Sequence, residues 1–195
     1  MARKGRKWYP FCDVHVMQRG NHKDVIFHDD QDKGYILKLF RETAAVFNYK
    51  IHAYCIMSNH YHFLLETSDC PLWVFMKFVD QKYSNYYNRK YHLVGHTFQG
   101  RYTECVIKND GYFLRVSRYI HLNPVKARMV STPSTYYWSS YREYIGMSRK
   151  KVVERDRTFS YFGITPVPAY RQFVEDKIGD DKEYDAVSVM LRDRE

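Results

Sequence analysis

Cysteine is scarce in this chain of 195 residues: Cys12, Cys55, Cys70 and Cys105 are its four copies, and no two of them form a CxxC pair. Neither a zinc ribbon nor a disulfide scaffold fits that spacing, and thiols so placed point to a reducing compartment, the cytoplasm. Glycine is sparse too, with nine copies and no GxxxxGK[ST] loop, so chemistry driven by a nucleoside triphosphate is not expected. No apolar run approaches the length that crosses a bilayer. The basic start, Met1 to Lys7, leads into Trp8-Tyr9-Pro10 without an apolar signal segment, which argues against secretion and membrane insertion. Internal repeats and low-complexity runs are also absent.

In excess are positive charge and aromatic rings. Lys plus Arg number 31 against 22 for Asp plus Glu, a net charge of +9 with neutral histidines. Such a surface attracts polyanions, and nucleic acid is the first partner to consider. Aromatic residues make up 17% of the chain, 19 of them tyrosine. Rings interleaved with cations suit unstacked bases better than duplex, so single strands are favoured. Each feature also has a plainer reading: basic surfaces aid solubility, and tyrosines line half-wet sheets. With 45% hydrophobic residues, the chain is long enough for one compact domain with or without a short appendage.

Periodicity gives an order of elements. Residues 11–18 alternate as a strand, Cys12, Val14 and Val16 against Asp13, His15 and Met17, and Arg19-Gly20-Asn21 turns it. Asp29 or Asp30 caps a helix with Tyr35, Ile36, Leu39, Phe40, Ala44 and Phe47 at helical spacing. Residues 49–56 and 60–66 form a hairpin around Met57-Ser58-Asn59, and a second helix starts near Pro71. A strand over residues 103–107 precedes a third helix, capped by Asn109 or Asp110 and expected to stop near Asn123-Pro124. The order predicts an α+β fold, a ferredoxin-like antiparallel sheet with helices on one face plus an added helix carrying Tyr119. Residues 1–146 form that domain. Residues 147–195 read as a charged tail with one short helix near residues 170–178.

Two places carry chemistry. His60 and His62 stand two apart on a strand, so both imidazoles project from one face and can share a metal, with Glu66 further along as a possible oxygen ligand. Two polar side chains satisfied at a sheet end give the same pattern. On the third helix Asn123 follows Tyr119 at i+4, so one face offers a phenol and an amide oxygen together, although each also suits an ordinary packing or capping role.

Tyr54-Cys55-Ile56-Met57-Ser58-Asn59-His60-Tyr61-His62-Phe63-Leu64-Leu65, Phe98-Gln99-Gly100-Arg101-Tyr102 and Ser117-Arg118-Tyr119-Ile120-His121-Leu122-Asn123-Pro124-Val125 together resemble the single-tyrosine HUH transposases, in particular the branch associated with REP sequences. Arg19-Gly20-Asn21 and Trp138-Ser139-Ser140-Tyr141 sit where that branch has similar words. The resemblance implies that Tyr119 is the nucleophile and that His60 and His62 bind a divalent metal, Mg²⁺ or Mn²⁺. Where related transposases complete the metal site with glutamine, this chain has the shorter Asn123. The activity implied is cleavage and rejoining of hairpin-bearing single-stranded DNA through a 5′-phosphotyrosine. Arg19, Asn21, Arg101, Arg118 and Lys126 lie in or beside the motifs and are the candidate DNA contacts. A binding module that no longer cuts is the rival reading, and a water-based metal hydrolase using His60, His62 and Glu66 is a third. Monomer and homodimer, with Tyr119 serving its own site or a partner's, are both compatible with the sequence.

Overall fold

A computed structural model describes residues 9–191; the basic arm at Met1 to Lys7 lies outside the described residues. Its first elements are β1 (Asp13–Arg19), α1 (Asp30–Phe47), β2 (Lys50–Ile56), β3 (His60–Glu66), α2 (Leu72–Tyr91), β4 (Thr103–Ile107) and α3 (Asp110–Lys126). The strands form one sheet in the order β2-β3-β1-β4, and every neighbouring pair is antiparallel. The histidine-bearing strand β3 is therefore internal.

Alternation along the strands divides the sheet into two faces. Val14 and Val16 of β1, with Tyr61, Phe63 and Leu65 of β3, are buried beneath α1 and α2. There the rings of Phe40 and Phe63 stack at 3.6 Å, and Phe75 closes on Phe40 at 5.7 Å. Burying one such ring contributes about 2–3 kcal/mol relative to leaving it in water. The opposite face takes α3, whose Phe113, Val116 and Ile120 are fully buried. Local chemistry sets the boundaries: Asp29 accepts from the Asp32 backbone N–H at the start of α1, and Asn109 does the same for Tyr112 at the start of α3. Gly20 is required by closeness, since a Cβ there would stand 2.3 Å from the Asp24 carbonyl oxygen.

Two expectations are corrected. Helix α3 does not stop at Asn123-Pro124 but continues to Lys126. Pro124 falls in the last turn, where its missing N–H sacrifices a single bond and the Ala127 N–H already returns to the Asn123 carbonyl. The tail, expected to hold one helix, has three among its described residues after the short α4 (Tyr141–Tyr144): α5 (Asp156–Ser160), α6 (Pro166–Glu175) and α7 (Asp181–Met190). Pro166 opens α6 in its first turn rather than breaking it. Leu122, Tyr141, Tyr144, Ile145, Tyr170 and Val174 form a second apolar cluster, while Val187 and Leu191 join the main core.

These late segments also seal the sheet edge. The free backbone of β2 is taken up by three bonds, Ile56 N–H to Trp138 O, Ser140 N–H to Tyr54 O and Glu154 N–H to Ile51 O. Beneath them Ser140 Oγ accepts from the Tyr54 N–H and pairs with His121 Nε2 at 2.8 Å. The Trp138-Ser139-Ser140-Tyr141 word is thus accounted for by packing. No described helix is long and apolar enough to cross a membrane.

Candidate active site

His60 and His62 both point to the α3 face of β3, with ring centres 5.0 Å apart and planes nearly perpendicular. The Nδ1 of each is engaged. His60 Nδ1 lies 2.6 Å from Asn59 Oδ1, and the Asn59 amide is oriented by donating its Nδ2 to the Lys23 carbonyl at 2.8 Å. A carbonyl oxygen only accepts, so His60 carries its proton on Nδ1 and offers the Nε2 lone pair. His62 Nδ1 lies 2.9 Å from Nε2 of a third histidine, His15 of β1. Burial, with Arg19 adding to it, lowers the pKa of His60 to about 4. Burial, then His60, His15 and Arg19, push His62 well below the usual imidazole range. Neutral rings are what a divalent metal requires of its imidazole ligands.

Tyr119 of α3, in the same chain, packs against His62 of this pair and against His15. Its ring centre lies 5.6 Å from that of His62 and 6.3 Å from that of His15, edge-on to both, and the residue is 8% exposed. What covers it is Tyr184 of α7, 4.5 Å away ring to ring. The Tyr184 hydroxyl donates to Asn123 Oδ1 at 2.8 Å, and Asn123 Nδ2 donates to the Tyr119 carbonyl at 2.8 Å. Asn123 is close to the site by position, yet its amide is committed along the helix and to α7.

The other candidates scatter. Arg19 adjoins the histidines, and its Nε is buried with no partner among the described residues. The Asn21 backbone N–H bonds the Thr97 carbonyl within the turn that follows β1. Arg101 is exposed and lines a cavity of about 260 Å³ with Trp73, Lys77, Asp80 and Tyr102. Arg118 is buried, donating to the Phe173 carbonyl and paired with Glu183, while Lys126 pairs with Asp181 at 2.6 Å and Asp185 at 3.5 Å. Arg118 is therefore turned into the α6 and α7 packing, whereas Lys126 stays partly exposed in surface ion pairs with α7.

Glu66 does not join the histidines. Four strand residues, about 13 Å at ~3.3 Å each, separate it from His62. At that far end it lies 3.3 Å from His52 Nε2 and 2.7 Å from Lys50, and Arg157 reaches Asp13 at 2.7 Å. Asp13, His52 and Glu66 present ligand atoms within 4.8 Å of one another, the one such group of three among the described residues.

Comparison with known proteins fits this arrangement. The family described as "Transposase IS200 like" matches residues 9–123, more than half of the chain and the whole stretch from β1 to Asn123. The chain belongs to the IS200-like transposase family. Among solved structures it is similar to a REP-associated tyrosine transposase bound to a REP hairpin, with 15% identity, a TM-score of 0.63, and coverage of 80% of this chain and 98% of that one. That likeness establishes a shared fold. A putative transposase from Deinococcus radiodurans (16% identity, TM-score 0.42, 66% of this chain and 92% of that one) and a tRNA(His) guanylyltransferase from Saccharomyces cerevisiae (12%, 0.47, 92% and 76%) are similar more loosely. No curated protein matches.

Within the IS200-like family the third histidine is the residue that sequence reading passed over. The signal was available, since Asp13, His15 and Met17 alternate against Val14 and Val16. What was missing was register: only the pairing of Met17 with His62 brings His15 to that imidazole.

Proposed function

We propose that this protein cleaves and rejoins single-stranded DNA, hairpin-bearing and REP-like, with Tyr119 as nucleophile and His60 and His62 as ligands of Mg²⁺ or Mn²⁺. The observation that carries the reading is the Tyr119 ring, 5.6 Å from that of His62, which with His60 forms a pair of neutral imidazoles whose Nδ1 atoms are already engaged. The donor set suits a divalent metal, because nitrogen ligands with room for oxygens fit Mn²⁺ well and Mg²⁺ less readily. When bound, such an ion supplies charge neutralisation at the phosphate oxygens, where negative charge builds up on attack.

The chain's own residues divide the remaining work. The Tyr119 oxygen attacks phosphorus and loses its proton; the P–O3′ bond breaks and the departing 3′ oxygen ends as a hydroxyl. The product is a 5′-phosphotyrosine, which keeps the ester energy, so the reverse attack by a 3′ hydroxyl restores the strand without ATP. Arg19, beside the imidazoles, is positioned to meet a phosphate, with Asn21 in the adjoining turn and Arg101 along the sheet edge. Arg118 reaches DNA only where it displaces its Glu183 partner, whereas Lys126 holds its α7 carboxylates at the surface and can exchange them for a phosphate. Asn123 supplies a third ligand only on releasing the Tyr184 hydroxyl.

The test is incubation with labelled hairpin-bearing single strands and Mn²⁺, followed by denaturing electrophoresis. A covalent protein–DNA band that vanishes in Tyr119→Phe is expected. No adduct across varied sequences favours a module that binds without cutting, and an adduct persisting in Tyr119→Phe rejects the nucleophile.

A further inference from the structure

We infer that His15 is a positioning residue for His62: it holds the proton of His62 on Nδ1 and so keeps Nε2 free to ligate a metal. The inference rests on the proposed metal site and adds a residue to it. His15 and His62 have ring centres 5.1 Å apart and planes within 24° of each other, and Nε2 of one stands 2.9 Å from Nδ1 of the other. Those three values together describe an end-to-end hydrogen bond in the ring planes, not a face-to-face stack.

Such a bond has two states. Between two facing nitrogens, one carries the proton and the other the lone pair. If His15 donates, His62 Nδ1 is the acceptor, the His62 proton sits on Nε2, and that nitrogen has no lone pair for a cation. If His62 donates, its Nε2 is open. His60 is held in the corresponding state by Asn59, whose oxygen accepts from Nδ1. The two histidines of the pair thus have different orienting partners on the same atom, an amide oxygen for one and an imidazole for the other. Outer partners of this kind set both tautomer and ring angle of metal-binding histidines.

The rest of His15 supports a role directed at His62. The residue is 2% exposed, and its Nδ1 has no partner among the described residues. A buried ring nitrogen left unpaired costs about 1–3 kcal/mol. An apolar side chain would fill the same space under Tyr119 without that cost, so packing gives no reason for an imidazole here. Among the described residues the one polar contact of its ring is the bond to His62.

The experiment uses the full chain, metal-free, with Mn²⁺ alone as the probe. In wild type, imidazole ¹⁵N resonances are expected to show His62 protonated on Nδ1. His15→Leu removes the acceptor at similar volume and should weaken Mn²⁺ binding by roughly 10- to 100-fold in calorimetry, the usual loss for an outer-shell partner. His15→Gln, whose amide oxygen reaches about where Nε2 stands, should restore most of the affinity and the Nδ1–H state. His62 found protonated on Nε2 in wild type overturns the inference, as does a His15→Leu protein with unchanged affinity. The ¹⁵N reading on wild type decides the matter even if His15→Leu fails to fold. His60→Ala separates the two levels: if it too binds Mn²⁺ normally, the metal site itself is wrong, whereas loss in His60→Ala alone removes only the role of His15.

Discussion

One face of one sheet carries two polar clusters, and they differ in whether their donors are already committed. At the Arg19 end of β1 and β3 stand His15, His60 and His62, with no carboxylate bonded to them among the described residues and Nε2 open on His60. At the other end Asp13, His52 and Glu66 converge, but Arg157 and Lys50 are already bound to the carboxylates, and His52 Nδ1 faces the Glu154 carbonyl. By composition the second cluster is the more conventional metal site, mixing oxygen and nitrogen donors. By occupancy it is a closed ion-pair network that ties α5 to the strand ends. A cation entering there has to expel a guanidinium, whereas at the histidine end it meets the Nε2 lone pair of His60.

The two clusters should differ most in their hold on a metal. His60→Ala and His62→Ala are each expected to reduce Mn²⁺ affinity by ~100-fold or more in calorimetry, while Glu66→Gln leaves it within a factor of about two. A reversal of that order places the ion at the carboxylates. Next is stability. Arg157→Ala should destabilise the fold by ~1–3 kcal/mol in urea titration, since it strands a buried Asp13, and Asp13→Asn in the same chain should recover part of that loss. An additive double mutant means that the two do not work as a pair.

Smaller is the effect of the α7 cover. Tyr184→Phe keeps the ring over Tyr119 but removes the hydroxyl from Asn123 Oδ1, a bond of ~1 kcal/mol, and should raise the rate of adduct formation roughly fivefold by freeing the amide. An unchanged rate means that Asn123 takes no part. The smallest involves Asp32, at the α1–α2 contact away from both clusters. Burial pushes its carboxyl up, but bonds from Lys90, Tyr91 and Tyr86 outweigh burial and hold it below its ordinary value. A depressed carboxyl contributes stability above its unfolded pKa, and that contribution fades as pH falls through the lower folded value. Wild type should therefore lose stability below about pH 4 more steeply than Asp32→Asn, as read from urea midpoints.

How much of this was legible beforehand follows from which signals are local. Alternation in β1, β2 and β3 and the caps at Asp29 and Asn109 are written in adjacent residues, so the βαββαβ order and the shared face of His60 and His62 came directly from the sequence. Tyr119 and its motif were recognised through resemblance rather than physics, since one tyrosine among 19 has no local mark. Long-range matters stayed hidden. His15 needs the β1–β3 register, the burial of Arg118 needs α6 and α7, and Tyr184 reaches Asn123 across 61 residues. Of the tail helices α6 was legible, whereas α5 and α7 were missed because the first is only five residues long and the second opens on a charged turn.

Anomalous diffraction at the manganese edge, from crystals of the full chain grown with Mn²⁺ and a hairpin-bearing single strand, decides where the ion binds. A peak is expected within bonding distance of the Nε2 atoms of His60 and His62, with the Tyr119 oxygen facing the phosphate held there. A peak between Asp13, His52 and Glu66, with none at the histidine pair, contradicts that placement.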